Sequence, residues 1–475
     1  MGDINRRTLI RRGAALGAAA AVGTGGAASA AAASESAGAA PGVPWNLFRS
    51  PVWNGEMLFA LGAAPAGTSE VGEVMEVVRR VRDATGDPAS PATDDMNVLV
   101  GAWNTLGSRL EGQARTALAA GLRVTARERF LRASLAHAQE LFFVLGTSRP
   151  GREEGVFQAC ERNWLEAIAL WDPQPIALRI EAAGQSLPAW LFRPDASGAA
   201  RPTYIICNGS DGQNIEIVSG GLVAALARGY NVVVVEGPGQ MSLLFEREVT
   251  FVPDWAPIIS AIVEVLVARG DVDSRRIAAT GISFLGMVLA SAAARSPGLA
   301  AVVLQPGGFD YLDLWDDPRS VAAVRESQRL PAGARARVAA EVNAGIRAAW
   351  PTLPAVDRFT IRKRGEIFSR RFLRDARAGA PPSDYFQMLE STLPFSYRDD
   401  LTRITVPTMV TANQNDQFFK RQSRTAFESL RSLPGDRKRL LPLTIAMGAG
   451  LHDQPMGPQV AQALIFDWLD RMLGA

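Results

Sequence analysis

Histidine is almost missing from this sequence: 475 residues hold two, His137 and His452. A histidine-built metal centre is therefore excluded, and any proton shuttling near neutral pH falls to one of these two rings. Cysteine is as scarce, and Cys160 and Cys207 cannot make a disulfide framework. Cys207 ends the β-forming run Thr203-Tyr-Ile-Ile-Cys207 and reads as a small buried hydrophobe, while Cys160 lies in a helical stretch. Neither charge sign dominates, with 50 basic and 48 acidic residues. No basic block flanked by aromatics follows the first residues, so a nucleic acid is not expected as partner. Beyond the N-terminus no segment offers the roughly eighteen uninterrupted apolar residues of a membrane span. Gly237 and Gly239 lack the third glycine of a dinucleotide-binding fingerprint. Neither a cofactor nor a metal is expected; the partners expected are a small-molecule substrate and, at most, a second copy of the chain in a homodimer.

What is present begins with Asn5-Arg6-Arg7-Thr8-Leu9-Ile10-Arg11, followed by a weakly apolar Ala/Gly stretch and the small-residue site Ala28-Ser29-Ala30. Residues 1–30 resemble a twin-arginine export signal, which places the mature protein outside the cytoplasm, secreted or in the cell envelope, without stable membrane insertion. Residues 31–44 are poor in bulky apolar side chains and read as a disordered linker.

From 45 to 172 the apolar spacing is helical, over Val71–Ala84, Ala114–Ala120, Thr125–Leu145 and Arg152–Leu170, and the segment reads as an all-helical cap domain. Asp172-Pro173 ends it. The remainder, 173–475, changes texture. Ile176–Ile180 and Leu187–Phe192 suggest an antiparallel pair. Strands and helices then alternate: Thr203–Cys207, Gly220–Arg228, Val232–Val235, Ile258–Arg269, Arg276–Thr280, Phe284–Ser296 and Ala300–Leu304. β-Branched runs of this kind suit strands covered on both faces, so a mostly parallel, doubly wound α/β sheet is predicted. From about 309 to 402 the strand rhythm stops for a helical insertion, including Ala332–Ala348 and Arg358–Arg377. Strands resume at Thr405–Val410 and Leu441–Ala446, and Pro458–Met472 closes the chain as an amphipathic helix.

Gly281-Ile-Ser283-Phe284-Leu285-Gly286 carries a strand straight into a helix, with serine at the junction. Such a serine sits on a tight turn that needs small neighbours. Gly281 supplies one, but the position two after the serine holds Leu285, and the glycine is delayed to Gly286. Alone, Gly-x-Ser would sooner describe a helix-capping serine. Company in chain order decides the reading. Asp416 ends the loop after the strand Thr405–Val410, where an orienting carboxylate is placed, although a turn or helix cap would also use it. His452 follows the last strand in Met447-Gly-Ala-Gly-Leu-His452-Asp453. It fits the general base, whereas His137, in the middle of a helix, reads as a core or surface residue. An oxyanion would be met by the backbone N–H of Phe284 and by one from Ser210 or Asp211 in Asn208-Gly-Ser-Asp-Gly212. Trp255, Phe309, Tyr311, Trp315 and Tyr385 could line an apolar pocket or simply pack the core.

The helical N-terminal part, Asn208-Gly-Ser-Asp-Gly212, Glu236-Gly-Pro-Gly-Gln240, Pro253-Asp254, Gly281-Ile-Ser283 and the late Asp416 and His452 together resemble one family. It comprises the α/β-hydrolases related to 2,6-dihydroxypseudooxynicotine hydrolase, with the fungal hydrolases that shorten pigment polyketides. The resemblance runs from about Trp45 to the C-terminus and implies a pocket between helical cap and sheet and, in some members, cleavage of a carbon–carbon bond next to a carbonyl. The family's pattern has glycine where Met241 and Leu285 stand here. Glu246 and Glu248, beyond Gly-Pro-Gly-Gln, are candidate acids for a carbon leaving group.

The sequence is therefore read as an exported serine hydrolase that cleaves an ester or a carbon–carbon bond beside a carbonyl in a small, largely apolar substrate. A peptidase of the same fold, and a non-catalytic binding protein with a degenerate elbow at Leu285, are the alternatives.

Overall fold

The structure, a computed structural model, describes residues 45–314, 318–419 and 422–474. The expected export signal and linker, and Trp315, lie outside the described residues.

Among the described residues five α-helices precede the first strand: α1 (Pro51–Gly62), α2 (Val71–Thr85), α3 (Thr93–Ala119), α4 (Arg123–Phe143) and α5 (Glu153–Ala169). The sequence pattern shows only the last turns of α3. Gly101, Gly107 and Gly112 blur its helical signal, and at least Gly107 has a packing reason. A Cβ there would sit 2.7 Å from Nε2 of His137, whose ring fills the groove between α3 and α4. His137 is thus a core residue, its Nδ1 2.9 Å from the Glu140 carboxylate. Helix α1 escapes the same reading because apolar residues occupy most of its positions and no single face stands out.

The eight strands are β1 (Ile176–Ala182), β2 (Gln185–Phe192), β3 (Arg201–Cys207), β4 (Asn231–Val235), β5 (Val272–Ile282), β6 (Ala301–Gln305), β7 (Thr408–Asn413) and β8 (Lys438–Leu443). They form one sheet in the order β1-β2-β4-β3-β5-β6-β7-β8. β1 and β2 are an antiparallel pair, with Ile176 opposite Leu191, and β2 runs antiparallel to β4. All other neighbours are parallel. Every residue of β4 and β6 is buried, as expected of strands covered on both faces by α6 (Val223–Ala227), α7 (Met241–Phe245), α8 (Ala256–Val267), α9 (Phe284–Arg295) and the C-terminal helix. This is the α/β-hydrolase fold.

The last two strands differ from their expected bounds. β7 begins at Thr408 because Pro407 has no N–H to give and contributes only its carbonyl, which accepts from Val302. β8 ends at Leu443 because the Thr444 side chain caps a 3-10 turn over Ile445–Met447.

Between β6 and β7 the chain forms α10 (Pro318–Ser327), α11 (Ala332–Ala349), α12 (Ala355–Gly365), α13 (Arg370–Arg377), α14 (Tyr385–Ser391) and α15 (Arg398–Arg403); α16 (Gln422–Ser429) and α17 (Pro458–Leu473) follow. The expected helix Arg358–Arg377 is two, because Ser369 caps a new start by accepting from the Phe372 amide. This insertion is fastened to the N-terminal helices. Phe359 stacks on Phe143, the Arg362 guanidinium donates to the Leu145 carbonyl, and Arg377 pairs with the fully buried Glu153 at 2.9 Å. Removing one member of such a buried pair typically costs about 3–5 kcal/mol, since the other is left uncompensated. Among the described residues no helix is long and apolar enough to cross a membrane.

Candidate active site

Ser283 is where β5 becomes α9, and its backbone shows it. Its φ of 51° and ψ of −122° lie where a non-glycine residue rarely rests, and the Ser283 amide donates to the Gln305 carbonyl of β6. The turn is tight because two glycines let backbones touch. A Cβ on Gly281 would meet the Leu285 carbonyl oxygen at 2.1 Å, and one on Gly286 would meet the Pro306 oxygen at 2.3 Å. Leu285 points away from this contact and is fully buried in the core. The close approach that the common motif places two residues after the serine is made here one residue later, so the departure at Leu285 leaves the turn intact. A sharp expectation follows. Gly281→Ala and Gly286→Ala should each destabilise the protein by about 1–3 kcal/mol through overpacking. Leu285→Ala should cost about 2–5 kcal/mol through the cavity it opens. Urea unfolding midpoints check both; a Leu285→Ala variant as stable as the parent would contradict this assignment.

The Ser283 hydroxyl lies 2.9 Å from Nε2 of His452, and the other ring nitrogen, Nδ1, lies 2.9 Å from Oδ2 of Asp416. Ser283 and His452, 169 residues apart in sequence, thus form one hydrogen-bonded row with Asp416. The second carboxylate oxygen of Asp416 accepts from the Phe418 and Phe419 amides, which fixes the carboxylate's rotation. Asn413, at the end of β7, donates to the carbonyls of Ala449 and Leu451, and the Asn415 amide donates to Gly450, so the acid loop is stitched to the histidine loop. The imidazole lies between Phe419, parallel to it at 5.5 Å, and Phe418, edge-on at 4.7 Å. Burial pushes its pKa down, but Asp416 and then Asp453 more than reverse this and lift it to about 9.

Gly209, two residues beyond the end of β3, lies flat against the serine: a Cβ there would be 2.8 Å from the Ser283 Cβ. Its own amide donates to the Asn208 side chain, so Ser210 offers the next amide along the loop. The Asp211 carboxylate pairs with Arg364 of α12 at 2.5 Å, and that guanidinium also covers the Phe418 ring at 4.8 Å. The sequence reading missed what holds this loop. Gln240, last of the Gly-Pro-Gly-Gln segment, donates its amide N–H groups to the carbonyls of Asn208 and Gly209 and accepts from the Gly237 amide. Gly237 is small because Trp255 stands against it, 2.2 Å from where a Cβ would be. Trp255 is therefore core.

Phe284 is ringed by Phe251, Tyr311, Phe368 and Phe395, with centroids 5.0–5.7 Å away. Of the aromatics suggested for a pocket, among the described residues only Tyr311 belongs to this cluster. Phe309 lies under Arg398 and Tyr385 is buried in the core. The candidate leaving-group acids are placed elsewhere too: Glu248 is held by Arg374, and Glu246 is exposed on the rim of an outer cleft with Glu161 and Glu166 of α5. One further carboxylate does reach the histidine. Asp453 Oδ2 stands 3.3 Å from His452 Nε2. Among the described residues no group of side chains has the makings of a metal site.

Comparison with known proteins agrees with the fold. Residues 169–454 match the model of the family described as X-Pro dipeptidyl-peptidase (S15 family). The alpha/beta hydrolase psoB of Aspergillus fumigatus is 31% identical over 279 residues, covering 55% of this chain and 60% of that protein. The alpha/beta hydrolase ucsC of an Acremonium species is 25% identical over 456 residues, 89% of this chain and 87% of the other. With psoB, the Pyricularia oryzae hydrolase ORFZ and the Aspergillus aculeatus hydrolase acrC, the match spans 60%, 64% and 65% of the relatives' lengths. Among solved structures, 2,6-dihydroxy-pseudo-oxynicotine hydrolase superposes with a TM-score of 0.59 at 18% identity, over 87% of this chain and 96% of that one. AbyA5 superposes with 0.55 at 16% identity, over 90% and 95%.

Proposed function

We propose that this chain, which belongs to the X-Pro dipeptidyl-peptidase (S15) family, is a hydrolase that works through an acyl-enzyme on Ser283. The observation that carries the reading is the unbroken row from Ser283 Oγ through His452 to Asp416, with both contacts at 2.9 Å, and its serine on a left-handed turn. His452 takes the hydroxyl proton, Ser283 attacks a carbonyl carbon, and Asp416 keeps Nε2 facing the serine. The Phe284 amide at the start of α9 and the Ser210 amide beside Gly209 are the proposed oxyanion donors. Water then releases the acyl group by the same route. The ring cluster around Phe284, at the helix start next to the nucleophile, favours a small and largely apolar substrate, cleaved at an ester or at a carbon–carbon bond beside a carbonyl.

The family's description favours a second reading, a peptidase acting after proline. A panel of aryl esters, aromatic 1,3-diketones and Xaa-Pro anilides separates the two. Turnover of esters or diketones is expected. Turnover confined to the anilides would transfer the assignment to the peptidase reading, and folded protein that neither turns over any substrate nor reacts with a fluorophosphonate would be a binding protein.

A further inference from the structure

Asp453 has no role in the row just described, yet the chain is bent to bring it there. Asp453 and Gln454 have φ of 54° and 53°, two adjacent non-glycine residues in the left-handed region directly after His452. Backbone held this way needs a reason, and functional loops are where it concentrates. The bend turns the Asp453 carboxylate back onto the ring it follows. Oδ2 lies 3.3 Å from Nε2, the nitrogen that also meets the serine. Its other oxygen, Oδ1, is buried without a protein partner.

Charges reach it from several elements. His452 favours its ionisation, Asp416 on the loop after β7 opposes it, and so does Asp211 on the loop after β3, itself paired with Arg364 of α12. Burial is the strongest influence, and the carboxyl is lifted to about 6. It can exchange a proton in the range where a hydrolase works.

We propose that Asp453 is the acid that protonates the leaving group, which rests on the acyl-enzyme reading of Ser283. In a tetrahedral adduct the oxyanion faces the amides of Phe284 and Ser210, so the leaving atom lies on the Nε2 side, which Asp453 borders. The Ser283 proton moves to Nε2 and from there to Oδ2. As the bond from the carbonyl carbon breaks, its electron pair takes that proton from Asp453. The products are the acyl-serine, a neutral imidazole, an ionised Asp453 and a protonated leaving group. In the second half the group displaced is the Ser283 oxygen, 2.9 Å from Nε2, and no relay is needed. Asp453 therefore acts where the leaving group is strongly basic, as an alkoxide or a carbanion is.

The test is Asp453→Asn against a series of esters that share one acyl group, from p-nitrophenyl through phenyl to alkyl, with an aromatic 1,3-diketone alongside. Labelling by a fluorophosphonate reports that the variant is folded and Ser283 competent, and Asp453→Glu serves as the conservative variant. The expected loss in kcat/KM grows along the series, from less than about tenfold for p-nitrophenyl to about a hundredfold or more for alkyl ester and diketone, with partial rescue by glutamate. An equal loss across the series would make Asp453 structural, and a gain for every substrate would make it a brake on His452; either outcome overturns the proposal while leaving Ser283 in place. Absent labelling and turnover in the parent protein would instead remove the reading of Ser283 itself.

Discussion

Ser283→Ala should abolish covalent labelling by a fluorophosphonate and lower kcat/KM by about four orders of magnitude or more, with the fold unchanged. The size follows from what is lost. Without the hydroxyl there is no acyl-enzyme, and the residual rate comes from binding and oxyanion stabilisation of direct water attack. The fold should tolerate the change because the turn is made by Gly281 and Gly286 and by the Ser283 amide on Gln305, none of which the substitution removes. Intact-mass spectrometry of probe-treated protein reads the adduct directly. A labelled Ser283→Ala variant would place the nucleophile elsewhere.

Asp416→Asn should lower kcat by about 10³–10⁴-fold and move the pH dependence in a set direction. In the parent the base must be neutral, and His452 is held near pH 9 against the downward pull of burial by Asp416 first and Asp453 second. The free enzyme's kcat/KM therefore climbs about tenfold per pH unit toward 9 and then levels. Removing the Asp416 charge takes away the largest upward influence, so the inflection shifts to lower pH as the plateau falls. An unmoved inflection would contradict the assignment of that charge. Stability carries the same sign. His452 has a folded pKa above its unfolded value of about 6.5, so its contribution is fully present below about pH 6.5 and is lost as pH rises through 9. Chemical denaturation of parent and variant should converge across that window. The amide of asparagine can still cap Phe418 and Phe419 through its oxygen, so the loop survives the substitution.

The sheet was legible in the sequence because buried parallel strands are written as local runs: Val232–Val235 and Ala300–Leu304 announce themselves within five residues. Ser283, Asp416 and His452, which the fold brings together, could be picked out as candidates because chain order and the scarcity of histidine leave few choices. Other features depend on contacts between distant segments. Nothing near Gly286 says that it stands on Pro306, and a local motif can only register Leu285 as a misplaced residue. Phe251, Phe368 and Phe395 come from separate segments to surround Phe284, and no periodicity links them. Gln240 belongs to a segment that reads as a turn, and its grip on Asn208 and Gly209 is visible only once β3 and β4 are paired. Asp453 was in view as the neighbour of His452, but the left-handed backbone that folds it back onto the ring is a property of the turn, not of the residue type.

Arg364 gives the insertion a second significance. One guanidinium grips Asp211 on the loop after β3 and covers Phe418 on the loop that carries Asp416. Any displacement of α12 wide enough to admit a substrate from that side would release both loops together. One side chain thus makes the geometry of two loops hang on the seating of a single helix, and whatever unseats that helix disturbs both at once.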